Sequence, residues 1–199
     1  MSNEDYEQAR RLGKEDEDLI ERFIEAATEA GMEIYRCDSV ASLAGKLGEI
    51  VKELELKTVM VGTGALLKRL GIRTSLERLG GVEILPVESE RDKLVSDSFE
   101  VDCSITAARG GLAETGSVVL EAAADEPLVL SVAPAVHISV LESKDVAADL
   151  IDLFQAERFG QGIVTLVTGP SKTADIEMTL VKGVHGPMAE YVFVLDGGD

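Results

Sequence analysis

The segment TVMVGTGALLKRL, residues 58–70, decides the fold class of this chain. Its first four residues form a short apolar run rich in β-branched side chains, which is typical of a buried strand. Gly62-Thr63-Gly64 then predicts a tight turn into a helix that carries Leu66 and Leu67. The turn has no third glycine and no acidic residue at dinucleotide spacing. It therefore favours a strand-to-helix turn over a nucleotide site.

Helices and strands alternate on both sides of this segment. Apolar spacing and turn residues predict, in chain order, a helix over residues 16–31, a strand at 34–35, a helix over 39–54 capped by Ser39, a strand over 82–87 and a helix over 89–99. The alternation predicts a doubly wound α/β domain with a mostly parallel sheet. We expect this single domain to span residues 16–199, after a polar tail at residues 1–15.

The middle of the chain departs from this alternation. It carries short β segments, predicted over residues 104–107, 112–113, 118–120, 128–132 and 138–141. Together they indicate a short-stranded β insertion around residues 104–141. A helical stripe returns over residues 144–154, where regular α/β structure is expected to resume.

The segment GIVTLVTGPSKTADIEMTLVKGVHGP, residues 162–187, is interpreted as another strand–turn–helix unit. Residues 163–167 predict a buried strand, Gly169-Pro170 a turn, and Ser171 or Thr173 the cap of a helix running to Lys182. A second tight loop follows before a final strand over residues 191–195. A strand end next to a helix start is where parallel α/β sheets bind ligands.

Composition and charge limit the partners of this protein. The formal net charge is −18 on 199 residues, which argues against binding to nucleic acid or to anionic membranes. The acidity suits an acidic docking face or a salty cytoplasm equally well. No apolar run is long enough for a membrane span, and no signal peptide is recognisable, so the sequence predicts a cytoplasmic protein.

Cysteine usage bears on cofactors. Cys37 and Cys103 are far apart, and the sequence contains no C-x-x-C. The chain by itself is therefore not expected to ligate an iron–sulfur cluster or a four-cysteine zinc site. The simple interpretation is that both cysteines are reduced thiols.

Three motifs together resemble a known family. They are GLAETGSVVL at residues 111–120, PAVHI at residues 134–138, and GPSKTADIE at residues 169–177 followed by GVHGP at residues 183–187. This combination is similar to the LUD domain, specifically the lactate utilization protein C group. The motifs cover roughly residues 100–195. The resemblance implies a fold like that of the ribose-5-phosphate isomerase and CoA-transferase group.

The same resemblance implies a function. It suggests an accessory subunit of an iron–sulfur L-lactate oxidation system, which holds lactate or pyruvate or helps to assemble the complex. Iron–sulfur clusters are then expected on partner chains, with no cofactor on this chain. The alternative is a free-standing isomerase- or acyl-transferase-like enzyme.

Glu114 is the candidate catalytic residue. In the Glu114-Thr115-Gly116 turn it is either an acid that caps local amides or a carboxylate aimed into a cleft. The second interpretation is similar in type to the catalytic glutamate of CoA-transferases, whose carboxylate is acylated and passes the acyl group on.

The candidate ligand-binding residues lie in the three motifs. The turn from Gly169 to Lys172 offers free amides and a cation, and a small carboxylate fits it better than a phosphate because of the acids that follow. His137 and His185 are either ordinary hydrogen-bonding residues or two of three ligands in a metal site completed by a carboxylate; we predict no metal. The full predicted set is Thr115, Gly116, His137, Gly169, Ser171, Lys172, Thr173, Asp175 and His185. We predict that Glu114, His137, Ser171, Asp175 and His185 line a single pocket.

Overall fold

The computed structural model describes residues 3–87, 91–155, 162–174, 180–182 and 186–197. The α-helices are α1 (Asn3–Ala30), α2 (Val40–Glu53), α3 (Ala65–Arg69), α4 (Ile72–Leu79), α5 (Arg91–Glu100) and α6 (Leu150–Gln155). The strands are β1 (Glu33–Cys37), β2 (Thr58–Val61), β3 (Glu83–Leu85), β4 (Cys103–Ala107), β5 (Gly110–Leu112), β6 (Ser117–Glu121), β7 (Val136–Glu142), β8 (Val146–Ala147), β9 (Val164–Val167), β10 (Lys172–Ala174), β11 (Leu180–Lys182) and β12 (Ala189–Leu195). Short 3-10 helices occupy Leu128–Ser131 and Ser143–Asp145.

A six-stranded parallel sheet forms the centre of the domain. Its strand order is β3-β2-β4-β7-β12-β1, and every neighbouring pair is parallel. Strand β2, from the segment at residues 58–70, lies between β3 and β4. The predicted α/β fold with a doubly wound, mostly parallel sheet is confirmed.

Each face of this sheet packs against its own group of helices. One face buries Ile105, Ile138 and Phe193 against residues of α2 and α4 such as Leu47 and Leu76. The opposite face buries a second cluster, which includes Ile20, Phe23 and Ala27 of α1 together with Val192 and Val194 of β12. The alternation of side chains along each strand assigns neighbouring residues to opposite clusters.

A second, four-stranded sheet contains two of the five short β segments predicted in the middle of the chain, those at residues 112–113 and 118–120. Its order is β8-β5-β6-β9, with β5 and β6 antiparallel and β9 antiparallel to β6. The predicted insertion around residues 104–141 was too wide, because β4 and β7 at its two ends belong to the parallel sheet. Residues 128–132 were predicted to be a β segment, but Leu128–Ser131 is a 3-10 helix.

The segment from residue 162 onward differs from its predicted strand–turn–helix form. Strand β9 is present, but it pairs with β6 in the second sheet and is only partly buried. The helix predicted from Ser171 or Thr173 to Lys182 is wrong, since β10 and β11 form an antiparallel hairpin in which Thr173 pairs with Val181. Both residues are β-branched, which favours strand over helix.

Several element boundaries follow their predicted signals. The Ser39 side chain accepts a hydrogen bond from the amide of Ser42 at 3.2 Å and caps α2, as predicted. Helix α1 begins at Asn3, well before the predicted start at Asp16. The helix predicted over residues 144–154 is shortened to α6 by a 3-10 turn and strand β8.

None of the helices in the described part of the chain is both long and apolar enough to cross a bilayer.

Candidate functional site

The carboxyl edge of the parallel sheet carries a cleft beside β2 and β4. Here the Gly62 amide donates a hydrogen bond to Ile105 O at 2.9 Å, and the Thr63 amide donates to Asp125 O at 2.8 Å. The loop after β6 is therefore fixed directly over the turn that follows β2. In parallel α/β sheets, ligands bind outside the carboxyl ends of the strands.

Glu126 is the central side chain of this cleft. Its Oε1 accepts a hydrogen bond from the Gly64 amide at 3.3 Å. A Cβ atom on Gly62 would overlap the Glu126 carboxyl group, and one on Gly64 would also lie too close to it. The two glycines of the turn thus leave the space that this carboxyl group occupies.

The environment of Glu126 favours its protonated form. Burial raises the pKa of Glu126 to about 7, and the negative charge of Asp125 adds to the rise. The amides of Ala107 and Gly64 and the charge of Arg109 act in the opposite direction. Its Oε2 is buried and, within the part of the chain that the structure describes, has no hydrogen-bond partner. A carboxyl group that titrates near neutrality in a cleft is a candidate for proton transfer or ligand binding.

Glu126 lies between an outer and an inner space. The outer cleft has a volume of about 130 Å³, and its lining includes Gly64, Arg109, Glu121 and Asp125. Arg109 reaches across it, with Nε 3.1 Å from Oε2 of Glu121. The inner cavity, about 10 Å³, is lined by residues that include Thr106, Glu121 and Ser131. Glu126 lines both spaces.

A larger groove lies elsewhere, between α2 and α4. Its volume is about 340 Å³, and its lining includes Gly45, Gly48, Ser75 and Arg78. Arg78 is the charged member of that lining. The Glu126 cleft is the better candidate for a functional site, because several titratable groups with distinct environments converge there.

His137 lies in a buried polar row beneath the 3-10 helix Leu128–Ser131. In the sheet register it stands between Ser104 of β4 and Glu190 of β12. Its Nδ1 is 2.7 Å from Oε2 of Glu190, and its Nε2 is 2.9 Å from Oγ1 of Thr106. The side chains of His137 and Glu190 are 0% and 1% exposed. Burial raises the pKa of Glu190, and the proximity of His137 opposes the rise.

The hydroxyl group of Ser104 connects this row to the 3-10 helix. It donates a hydrogen bond to Leu130 O and so attaches the 3-10 helix to the sheet. Leu128 and Ser131 of this helix line the inner cavity together with Thr106.

A second group of predicted site residues surrounds the C-terminal end of α1. A Cβ atom on Gly116 would overlap the backbone of Ala26 and Ala27, and one on Gly169 would overlap Ala30 O. Both glycines have positive φ, +65° and +97°. Lys172 donates a hydrogen bond from Nζ to Ala30 O at 2.9 Å. Gly116, Gly169 and Lys172 thus hold the second sheet and the β10 segment against α1.

Hydroxyl groups and a backbone hydrogen bond extend this group of residues, which we call the amino-edge cluster. Oγ1 of Thr115 lies 2.7 Å from Oγ of Ser117, which lies 2.7 Å from Oγ1 of Thr168. The Ser171 amide donates to Pro187 O at 2.8 Å, which connects the cluster to the loop before β12. The cluster consists of Thr115, Gly116, Ser117, Thr168, Gly169, Ser171 and Lys172.

Among the described residues, Glu114 and His137 do not join this cluster. Glu114 is exposed on the turn between β5 and β6, and its amide donates to Ala148 O at 3.0 Å. His137 is enclosed in the parallel sheet with Thr106 and Glu190. Thr173 is placed by its backbone in β10. Asp175 and His185 lie outside the described residues, so the predicted pocket that would combine them with Glu114 and His137 stays a prediction.

Sequence reasoning missed Glu126, Thr106 and Glu190. Glu126 occurs in the polar stretch Ala123–Pro127, which reads as an ordinary surface turn. One signal was available: Gly62 and Gly64 lack side chains, which indicates that another group approaches the turn closely. The sequence did not identify that group.

A metal site would require several His, Cys, Asp or Glu side chains to converge within the described residues. In that part of the chain, no group of three or more His, Cys, Asp and Glu side chains is placed to share a metal ion. Cys37 and Cys103 are buried free thiols. Burial raises the pKa of both thiols, which keeps them in the neutral form.

Comparison with known proteins assigns the family. The LUD domain family model matches residues 20–195, so the chain belongs to the LUD domain family, as the three sequence motifs indicated.

Several bacterial proteins are similar to this chain. The Escherichia coli (strain K12) protein called "Uncharacterized protein YkgG" is 30% identical over 183 residues, which cover 87% of this chain and 78% of that protein. Lactate utilization protein C of Bacillus subtilis (strain 168) is 28% identical, covering 90% of this chain and 80% of that protein. Protein NMB1437 of Neisseria meningitidis serogroup B is 33% identical over 53% of this chain, and the match spans 48% of that protein.

One solved structure supports the fold assignment. The crystal structure of a DUF162 family protein from Deinococcus radiodurans superposes with a TM-score of 0.67. The match covers 90% of this chain and 98% of that chain, at 19% sequence identity. At this identity the likeness establishes a shared fold.

Proposed function

We propose that this protein is an accessory component of an L-lactate oxidation system and that it holds lactate or pyruvate in the Glu126 cleft. Redox chemistry would take place on iron–sulfur partner proteins. The observation that carries the proposal is Glu126, a carboxyl group with a pKa of about 7 that faces a small cleft next to Arg109. The relatives called lactate utilization protein C support lactate or pyruvate as the ligand.

The size and chemistry of the cleft suit a small hydroxy or oxo acid. A volume of about 130 Å³ is well below the roughly 300–1,000 Å³ of pockets for drug-sized ligands. The Arg109 guanidinium can bind a carboxylate, for which it would compete with Glu121. Protonated Glu126 can donate a hydrogen bond to the hydroxyl or carbonyl oxygen.

Binding of lactate and pyruvate to the purified chain tests this proposal. We expect both to bind, and acetate, which lacks the second oxygen function, to bind more weakly. Arg109→Gln should weaken pyruvate binding about tenfold or more, because a hydrogen bond to a charged group is lost. Arg78→Gln is the matched control, since Arg78 is an exposed arginine in the larger groove. Calorimetry or ligand-observed NMR measures both affinities.

The predicted residues of the amino-edge cluster offer a competing location for the ligand. Lys172→Gln should leave pyruvate affinity unchanged if the ligand occupies the Glu126 cleft. A loss of binding in Lys172→Gln, with wild-type affinity in Arg109→Gln, would contradict the cleft and favour the turn from Gly169 to Lys172.

The role in a larger assembly needs a separate measurement. We expect Glu126→Gln to lower lactate oxidation by the complex assembled with iron–sulfur partner proteins, while co-purification with those partners is unchanged. Lost co-purification would instead assign Glu126 to assembly.

The alternative is a free-standing isomerase- or acyl-transferase-like enzyme. The pKa of Glu126 gives this alternative a candidate acid–base residue in the cleft. Glu114, by contrast, is exposed on a turn. Turnover of an oxo acid or an acyl donor by the purified single chain, abolished in Glu126→Gln, would establish the alternative.

A further inference from the structure

The inner cavity connects Glu126 to the buried polar row of the sheet. Thr106 contributes to both, because it lines the cavity and its Oγ1 lies 2.9 Å from Nε2 of His137. The cavity volume of about 10 Å³ is close to the space that one water molecule requires. Ser139 pairs with Thr106 in the sheet register, and its buried Oγ has no partner among the described residues. Polar groups therefore converge at this point on the way to Glu126.

The hydrogen bonds of His137 restrict the orientation of the Thr106 hydroxyl group. When Glu190 is ionised it can only accept, so Nδ1–H of His137 donates to it. In neutral His137, Nε2 then accepts from the hydroxyl of Thr106. The oxygen of Thr106 offers only an acceptor to the inner cavity in this state, which favours protonated Glu126.

A proton on Nε2 reverses this orientation. Nε2–H of His137 then donates to Oγ1 of Thr106, and the hydroxyl proton of Thr106 turns toward the inner cavity. A donor there favours the carboxylate form of Glu126, since hydrogen bonds to the charged form stabilise it. The two orientations therefore connect the protonation of His137 to that of Glu126.

We propose that Thr106, His137 and Glu190 form a proton relay that sets the protonation state of Glu126 and supplies its proton when a carboxylate ligand enters the outer cleft. The inference rests on the proposed function of that cleft. In one state Glu126 is a neutral acid and His137 is neutral. In the other, Glu126 is a carboxylate and His137 is an imidazolium paired with Glu190. Nε2–H of His137 passes its proton to Oγ1 of Thr106, the hydroxyl proton of Thr106 passes to one water molecule in the inner cavity, and that water passes a proton to the Glu126 carboxylate. The number of protons in the network is conserved.

The charges around each end of the relay agree with this direction of transfer. Glu126 faces Arg109, Asp125 and Glu121. An incoming ligand carboxylate would add negative charge beside Glu126, which favours the neutral acid there. At the other end, His137 faces Glu190, whose charge also reaches the thiol of Cys103. Ligand binding should then be detected at His137 although its side chain is fully buried.

NMR titration of the free protein tests the relay without a ligand. The chain has two histidines, His137 and His185, so the imidazole ¹⁵N signals of His137 can be assigned with a His185→Gln variant. The Glu126 carboxyl ¹³C signal is assigned by its loss in Glu126→Gln. Because the protonation of one coupled group alters the signals of the other, we expect the imidazole signals of His137 in the wild-type protein to change over the pH range in which Glu126 titrates.

Thr106 variants separate the relay from a purely structural role. Thr106→Val keeps the shape but removes the hydroxyl group, and we expect the His137 signals no longer to follow the titration of Glu126. Thr106→Ser keeps a hydroxyl group and should preserve the response of the His137 signals. Constant His137 signals across the pH range in which Glu126 titrates in the wild-type protein would overturn the relay, whatever the variants do.

Addition of pyruvate distinguishes the relay from the proposed function. We expect pyruvate to shift the His137 signals in the wild-type protein and in Thr106→Ser but not in Thr106→Val. If pyruvate changes no signal at all, the proposed function of the cleft fails while the titration still decides the relay. If it perturbs Arg109 and Glu126 but leaves His137 unchanged, the cleft stands and the relay is wrong.

Discussion

The glycine-containing turns in two regions of this protein accommodate close neighbours of opposite kinds. At the carboxyl edge of the parallel sheet, Gly62 and Gly64 leave room for the carboxyl group of Glu126. At the amino-edge cluster, Gly116 and Gly169 leave room for the backbone of α1. A carboxyl group at the end of a flexible side chain can move away, whereas the backbone of a packed helix cannot.

This difference separates a site from a packing contact. The sequence motifs drew attention to the amino-edge cluster, where the contacts with α1 explain the glycines without any ligand. The Gly62 turn looked like simple strand-to-helix geometry, yet it borders a carboxyl group with a pKa of about 7. The same Gly→Ala substitution should therefore lower stability in the amino-edge cluster. In the Gly62 turn it should change the pKa of Glu126 and have little effect on stability.

Gly116→Ala should have the largest effect on stability. Its Cβ would overlap the backbone of Ala26 and Ala27, and its φ of +65° is unfavourable for alanine. We expect a loss of about 3 kcal/mol in the free energy of unfolding, measured by urea denaturation. Gly45→Ala is the control, because nothing lies within 4 Å of its Cβ position in α2, and it should stabilise by about 0.5–1 kcal/mol. A loss below about 1 kcal/mol in Gly116→Ala would contradict the packing role.

Glu126→Gln should make stability less dependent on pH. The folded pKa of about 7 lies above the ordinary value of 4.5, so between these values the folded state holds a proton that the unfolded chain has lost. The stability contributed by protonated Glu126 is complete below about pH 4.5 and is lost as the pH rises through 7. The full shift corresponds to about 3 kcal/mol at most, and partial contact with solvent reduces it to about 2 kcal/mol.

The measurement is the difference in unfolding free energy between wild type and Glu126→Gln at pH 5 and at pH 8. We expect the variant to gain about 2 kcal/mol relative to wild type between these two values. An equal difference at both pH values would mean that Glu126 titrates at its ordinary pKa.

Gly62→Ala should change chemistry with little change in stability. The added methyl group would displace the Glu126 carboxyl group toward solvent, so its pKa should fall toward the ordinary range. We expect the free energy of unfolding to change by less than about 1 kcal/mol, because a flexible side chain can move. Carboxyl NMR reports the pKa, and a pKa that stays near 7 would show that the turn does not determine the position of Glu126.

Lys172→Met should have the smallest effect. Lys172 is exposed and donates one hydrogen bond to Ala30 O, so its loss should cost about 0.5–1 kcal/mol. Pyruvate affinity should be unchanged, because this lysine is used in packing. A tenfold loss of affinity at unchanged stability would move the ligand site to the amino-edge cluster.

The sequence determined the fold class and several local structures. The alternation of apolar runs, glycine turns and helical stripes was sufficient to predict a parallel sheet with helices beside it. It did not predict α4, and it assigned β4 and β7 to the insertion although both belong to the parallel sheet. Ser39 capped its helix as predicted, because an N-cap involves contacts over only three residues. The family also followed from motifs that are contiguous in the sequence.

Tertiary structure decided what local patterns left ambiguous. A cap signal at Ser171 or Thr173 predicted a helix running to Lys182, but residues 172–174 and 180–182 pair as antiparallel strands. Residues 163–167 form a strand as predicted, but their pairing with β6 placed them in the second sheet. Local sequence does not specify which sheet a strand joins.

The candidate site depended most strongly on tertiary structure. Glu126 becomes a buried carboxyl group because the turn at Gly62 and Gly64, more than 60 residues earlier, lies against it. His137 becomes part of a relay because β4 and β12 bring Thr106 and Glu190 to its two ring nitrogens. The sequence supplied these side chains, but their burial, charge and hydrogen bonds arise from contacts between strands that are distant in the chain.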